Sequence, residues 1–203
     1  MNKKYLILSL FSGLLFGLSW PVNGMVFLIF VAFIPLLIIE KGLREKSVLK
    51  IFSYSFMSFI LWNSITSWWL VNSTVFGMFF AIILYSILMA LVFTSYSLIS
   101  KKLGSKLGVI FFISSWIVFE KFNLSWEFSW PSLILGNVFS ESHQLIQWFE
   151  FTGTLGGSIW ILIVNLLFFK TLNKYLSNKY YLKNLSIGLL SISIPIIISL
   201  CIY

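Results

Sequence analysis

The chain has 203 residues, of which 59% are hydrophobic and 10% charged, with a mean hydropathy of +0.98. Soluble domains carry roughly 45–50% apolar and about 25% charged residues and rarely expose large apolar patches, so this composition excludes a water-soluble globule and makes lipid the solvent. The formal charge of +8 comes from 14 Lys and Arg against six acids, all Glu, and the cations sit at the ends of apolar runs rather than in one stripe, which favours a topology signal over a nucleic-acid surface.

The first apolar run, Tyr5–Trp20, follows Met1-Asn2-Lys3-Lys4. That layout resembles a secretory signal, but no small-x-small cleavage site follows it and more apolar runs do, so it reads as a retained helix. Six further runs follow: Val22–Ile39, Ile51–Val71, Val75–Ser100, Leu107–Phe122, Gly156–Phe169 and Leu185–Tyr203. Backbone in hydrocarbon must bond within its own segment, and these runs are too long and too evenly apolar for the alternating strands of a barrel. The predicted class is therefore all-α, a single polytopic bundle of about seven transmembrane helices over residues 1–203. A full span needs about 20 residues, so the first, fifth and sixth runs are short. Pro35 and Pro195 fall inside spans and are expected to kink them, with neighbouring helices compensating. No internal repeat and no low-complexity tail is visible.

Orientation follows from the charges. With the N-terminus in the cytoplasm, the inner segments hold Lys3, Lys4, Lys41, Arg44, Lys46, Lys50, Lys101, Lys102, Lys106, Lys170, Lys174, Lys179 and Lys183, and the outer ones hold only Lys121. This is the positive-inside bias, and it puts the C-terminus and the long loop 123–155 on the outer, periplasmic face. Glu120, Glu127, Glu141 and Glu150 fall on that face; Glu40 reads as a solvated inner helix end. The loop is rich in apolar and aromatic residues and is expected to lie on or dip into the membrane surface, as long functional loops do. Trp20, Trp68, Trp69, Trp126, Trp130 and Trp148 map near the outer boundary, either as an ordinary interfacial belt or as an aromatic-lined lipid entrance.

Most catalytic templates fail. There is no Gly-rich phosphate loop, no Asp for a Ser-His-Asp set, and one histidine, His143, so no His-pair metal motif. Cys201 is the sole cysteine; in apolar surroundings a thiol yields little thiolate, so it reads as helix packing. No catalytic residue, metal ligand or cofactor is assigned. Glu120, beside Lys121, is either a solvated boundary pair or a carboxylate that orients a head group or fastens the loop; Glu150 sits at a similar edge. Gly153, Gly156 and Gly157 open the sixth helix and favour close helix packing, a substrate path being the other reading. Asn165 within that helix needs a partner, as do Asn63, Thr66 and Asn72, and an interhelical hydrogen bond is expected.

At the loop the chain resembles a known family. Glu120, then Trp130-Pro131, Leu133 and Gly136, then Gln147, Gly153, Gly156, Ser158 and Asn165 stand at the spacing of the N-terminal membrane domain of apolipoprotein N-acyltransferase, a bacterial enzyme of the last lipoprotein acylation step. Leu18-Ser19-Trp20-Pro21 and Trp69-Leu70-Val71-Asn72 before Phe76-Gly77 also look typical, and the resemblance runs from Lys4 to Tyr203. One departure is Ser132, where the family usually has Trp. The resemblance implies a bacterial cytoplasmic (inner) membrane location. It also implies an outer-face lipid or substrate entrance shaped by Glu120, Trp126, Trp130, Pro131, Gly136, Gln147, Trp148 and Glu150. In the family a nitrilase-like domain with a Glu-Lys-Cys triad follows the seventh helix, and Cys201-Ile202-Tyr203 does not match its nucleophile motif. The sequence is thus expected to be a truncated or split membrane half, inactive alone. The implied partners are membrane phospholipid, an apolipoprotein substrate and a separate nitrilase-like polypeptide. The competing expectation is a non-enzymatic lipid- or partner-binding membrane module; a small transporter fits less well, for want of repeats or paired broken helices.

Overall fold

The computed structural model describes residues 2–20 and 24–202. Pro21, Val22 (the expected start of the second span) and Tyr203 lie outside the described residues. Every regular element among the described residues is helical: α1 Lys3–Ser19, α2 Ile34–Leu43, α3 Val48–Ser67, α4 Val75–Leu103, α5 Ser105–Asn123, α6 Phe149–Leu176 and α7 Leu182–Ile202. Short 3-10 turns occupy Val26–Phe30, Trp68–Asn72, Pro131–Leu133, Leu135–Phe139 and His143–Leu145. Five segments are long and apolar enough to cross a membrane: Val26–Leu43, Val48–Asn72, Val75–Leu103, Phe149–Leu176 and Leu182–Ile202. α1 has 17 residues, and α5 carries Lys106, Glu120 and Lys121, so neither joins that set.

Two expected features of the spans change. The second span is not one kinked helix: a 3-10 turn ends at Phe30 and α2 begins at Ile34. Pro35 therefore stands in the first turn of α2, where its missing N–H has no intrahelical acceptor to lose. α6 begins at Phe149 rather than Gly156, but Gly153 interrupts it with φ 67° and ψ −179°. That conformation is essentially reserved for glycine.

The chain forms two compact units. One comprises Met1–Leu28 with Pro35–Trp116, the other Ile29–Ile34 with Ile117–Tyr203.

In the first unit α1 crosses α3 at Gly13 and Gly17. A methyl group on Gly13 would lie 2.6 Å from the Ser58 carbonyl oxygen, and one on Gly17 2.6 Å from Cδ1 of Ile65. Four-residue spacing of glycines lets backbones approach this closely in a membrane. Beside the crossing, Phe16 stacks on Trp62 at 4.6 Å, and Phe59, Phe93, Phe112 and Trp116 continue the aromatic core. Trp20, one of the tryptophans mapped near the outer boundary, is buried against Trp62. Asn63 finds the interhelical partner expected of it, donating Nδ2–H to Ser86 Oγ of α4 at 2.8 Å. Thr66 bonds back to the Trp62 carbonyl of its own helix.

Glu40 corrects another expectation. It is 0% exposed rather than solvated, and it accepts two hydrogen bonds from Arg44, at 2.6 Å from Nε and 2.9 Å from Nη2. The i,i+4 spacing puts the guanidinium over the carboxylate, and a buried charge persists only when so paired. The hydrogen bond to Glu40 raises the Arg44 pKa above its ordinary value. Arg44 Nη1 donates to Ser105 Oγ at 2.9 Å, tying the pair to the start of α5.

Candidate functional site

The candidate site lies in the second unit, where α6 supports three stretches of backbone that no helix satisfies. The first is the loop between α5 and α6. Its 3-10 turn Leu135–Phe139 presents two consecutive free amides. Leu135 N–H donates to Glu120 Oε1 at 2.8 Å, and Gly136 N–H donates to Ser158 Oγ at 3.0 Å. Glu120, 1% exposed near the end of α5, is thus no solvated partner of Lys121; it fastens the loop. Gly136 lies against the Thr154 carbonyl of α6, with no room for a Cβ. Leu133, Ile134 and Leu135 are buried, and Asn137 Nδ2 closes the turn by donating to the Pro131 carbonyl at 2.7 Å.

The second stretch is the break between residues 30 and 34. Asn165 Oδ1 accepts the Phe33 N–H at 2.9 Å, and its Nδ2 donates to the carbonyls of Ile29 at 2.8 Å and Ile161 at 2.9 Å. Asn165 thereby makes a long-range polar bond of the kind expected, but to backbone. Irregular backbone at membrane depth requires such a partner.

The third stretch is in α7. Pro195 has no N–H for the Ser191 carbonyl four residues earlier, so that carbonyl is freed. Trp160 Nε1–H fills the place, donating to Ser191 O at 2.6 Å. The Trp160 ring also stacks on Phe139 of the loop at 5.2 Å and meets Phe30 edge-on at 4.7 Å and Trp148 edge-on at 5.5 Å.

Residues 12–167 match the N-terminal domain of apolipoprotein N-acyltransferase. The chain belongs to this family. It is similar to the apolipoprotein N-acyltransferase of Chlorobaculum tepidum, with 27% identity over 168 residues, which covers 81% of this chain and 31% of that protein. The chain therefore spans less than a third of the length of that curated relative. No solved structure matches it.

Glu120, Gly136, Ser158, Trp160 and Asn165 all fall inside the stretch matched to the apolipoprotein N-acyltransferase domain. Of the predicted entrance residues, Glu120 and Gly136 come together at the loop clamp, and Trp148 joins the aromatic cluster under it. Trp130 leads, half-buried, into the turn headed by exposed Pro131, and Ser132 is exposed. Trp126 packs instead on Phe122 and Phe128, at 4.9 and 5.5 Å. Gln147 Nε2 donates to the His143 carbonyl within its own turn, and Glu150 is exposed in the first turn of α6.

The nearest neighbours of the glycines of α6 belong to its own first turns or are absent. Gly153 is exposed, with open space where a side chain would project; its role is conformational. The turn it permits folds Phe149 over Gly157 and Thr152 over Gly156, so those glycines accommodate the start of their own helix. Cys201 is exposed on α7 rather than packed. No group of three or more His, Cys, Asp or Glu side chains gathers as a metal site among the described residues.

Sequence reasoning quoted Ser158 as a motif match without giving it a role, and missed Trp160 altogether. Pro195 signals that the Ser191 carbonyl is free, but nothing local names its donor 31 residues away. Gly13 and Gly17 carried a readable signal in their four-residue spacing.

Proposed function

We propose that this chain is the membrane half of a lipoprotein N-acyltransferase. It anchors a nitrilase-like catalytic domain on the outer face of a bacterial cytoplasmic membrane and admits a membrane phospholipid to it. The observation that carries this reading is the loop clamp: Glu120 and Ser158, from two helices, hold the consecutive amides of Leu135 and Gly136 in a family domain. A loop held this way keeps Trp130, Pro131 and exposed Phe128 on a defined aromatic surface where a lipid can pass. Such a surface needs no nucleophile of its own; in this reading the acyl transfer to an apolipoprotein amine belongs to the nitrilase-like domain.

The topology that goes with this function has seven spans, the N-terminus inside and the loop outside. α1 and α5 complete the count: at 1.5 Å per residue their 17 and 19 residues reach about 25 and 28 Å, close to a hydrocarbon core of about 30 Å. Lys121 is then the single cation outside, and the other 13 lie inside.

Complementation tests the function. In a bacterium depleted of its N-acyltransferase, the chain is expressed with and without a separate nitrilase-like domain, and lipoprotein α-amino acylation is assayed. Acylation only with both pieces is expected. Acylation by the 203-residue chain alone contradicts the division of labour, and none in either arm favours a non-enzymatic lipid-binding module.

A further inference from the structure

Trp160 makes two kinds of contact. Its indole N–H donates at 2.6 Å to Ser191 O, the carbonyl that Pro195 leaves open in α7. Its ring is the common neighbour of Phe139 and Trp148 from the loop and of Phe30 from the helix break. Phe139 is fully buried and sits in the same 3-10 turn whose amides are held by Glu120 and Ser158. The three aromatic partners of one buried ring restrict it from three sides, and the hydrogen bond fixes its orientation about the remaining axis. A shift of the proline turn of α7 therefore has to move the ring, and the ring has to move the loop turn.

We propose that Trp160 is a positioning residue through which the proline-opened turn of α7 sets the place of the outer loop. Its importance for acyl transfer rests on the reading of that loop as the lipid-admitting surface; the coupling itself does not. The proline is part of the device. With an N–H at position 195, α7 would satisfy its own carbonyl and would have no need of Trp160.

This arrangement makes rescue possible. Trp160→Phe removes the donor together with part of the ring, leaving the half-buried Ser191 carbonyl unsatisfied, and the rescue below separates the lost hydrogen bond from the lost packing. Pro195→Ala supplies a backbone N–H to that carbonyl from within α7. The readout is the burial of a loop cysteine in the full chain carrying Cys201→Ser. Val138→Cys places a thiol at a buried position of the loop turn, and Ser67→Cys places one at a buried position at the end of α3 as the control. Labelling rates with a membrane-impermeant maleimide are compared in liposomes. Trp160→Phe is expected to speed labelling at position 138 by about fivefold or more, the effect of a modest loss of local stability. The rate at position 67 stays unchanged, and adding Pro195→Ala returns position 138 towards its original rate.

An unchanged rate at position 138 in Trp160→Phe overturns the proposal. So does an equal rise at position 67, which marks general loosening, or a rise that Pro195→Ala fails to reverse, which removes the hydrogen bond from the route. Failed complementation alongside the expected labelling pattern discards the lipid-admitting reading and leaves the coupling standing.

Discussion

Arg44 and Glu40 lie one helical turn apart, and the carboxylate has no access to solvent. Removing one partner from such a pair leaves an uncompensated charge, whereas replacing both with apolar residues is often neutral. Arg44→Ala is therefore expected to cost about 3–5 kcal/mol. Glu40→Leu with Arg44→Met is expected to recover most of it, both read by thermal unfolding in detergent. A double variant less stable than Arg44→Ala would show that the pair contributes specific stability beyond neutralising itself. The Arg44 pKa is raised by Glu40, so its share of stability is fully present below the ordinary arginine range and fades only above the raised one. No loss from the guanidinium is expected across the neutral range. The i,i+4 spacing of this pair is legible in the sequence; its depth is not. Burial is a property of neighbours, and here Ser105, 61 residues away, closes the site.

Helices in this chain are shaped by glycines with opposite reasons for being glycine. Gly13 faces the Ser58 backbone carbonyl of α3, which cannot rotate away, while Gly17 faces the Ile65 side chain, whose Cδ1 is the nearest atom. Gly13→Ala is expected to destabilise the first unit by about 1–3 kcal/mol, the usual cost of overpacking, and Gly17→Ala by less. Gly153 has open space around it but a backbone conformation at φ 67° that side chains resist. Gly153→Ala is expected to cost about 1–3 kcal/mol through backbone strain alone. If Gly153→Ala is neutral in thermal unfolding, the turn before the helix proper is not held in that conformation in the membrane. The sequence placed small residues at these sites without distinguishing a close crossing from a strained turn. Apolar run length located α3, α4 and α7 within a few residues, because length and hydropathy are local. It missed the break between Phe30 and Ile34, where every side chain is apolar and only the backbone changes.

The whole molecule is defined by which helices cross. Seven spans and the five segments long and apolar enough to cross make different predictions for the ends of α4 and α5. In a Cys201→Ser background, cysteines at exposed Ser73 and Ser140 are both expected to react with an impermeant maleimide in intact spheroplasts. Cysteines at exposed Glu45 and Ser177 are expected to react only after permeabilisation. Positions 73 and 140 on opposite sides would mean that α5 does not cross. Composition, charge order and motif spacing were enough to establish a helical membrane protein of this family, since each is carried by residues near one another in the chain. Only tertiary structure decided where the exposed backbone finds its partners. Leu135 reaches Glu120 across 15 residues, Gly136 reaches Ser158 across 22, Trp160 reaches Ser191 across 31, and Phe33 reaches Asn165 across 132. In hydrocarbon a backbone group left open is costly, so each irregular segment must be matched by a particular side chain. The match depends on folded geometry at separations that no local pattern spans.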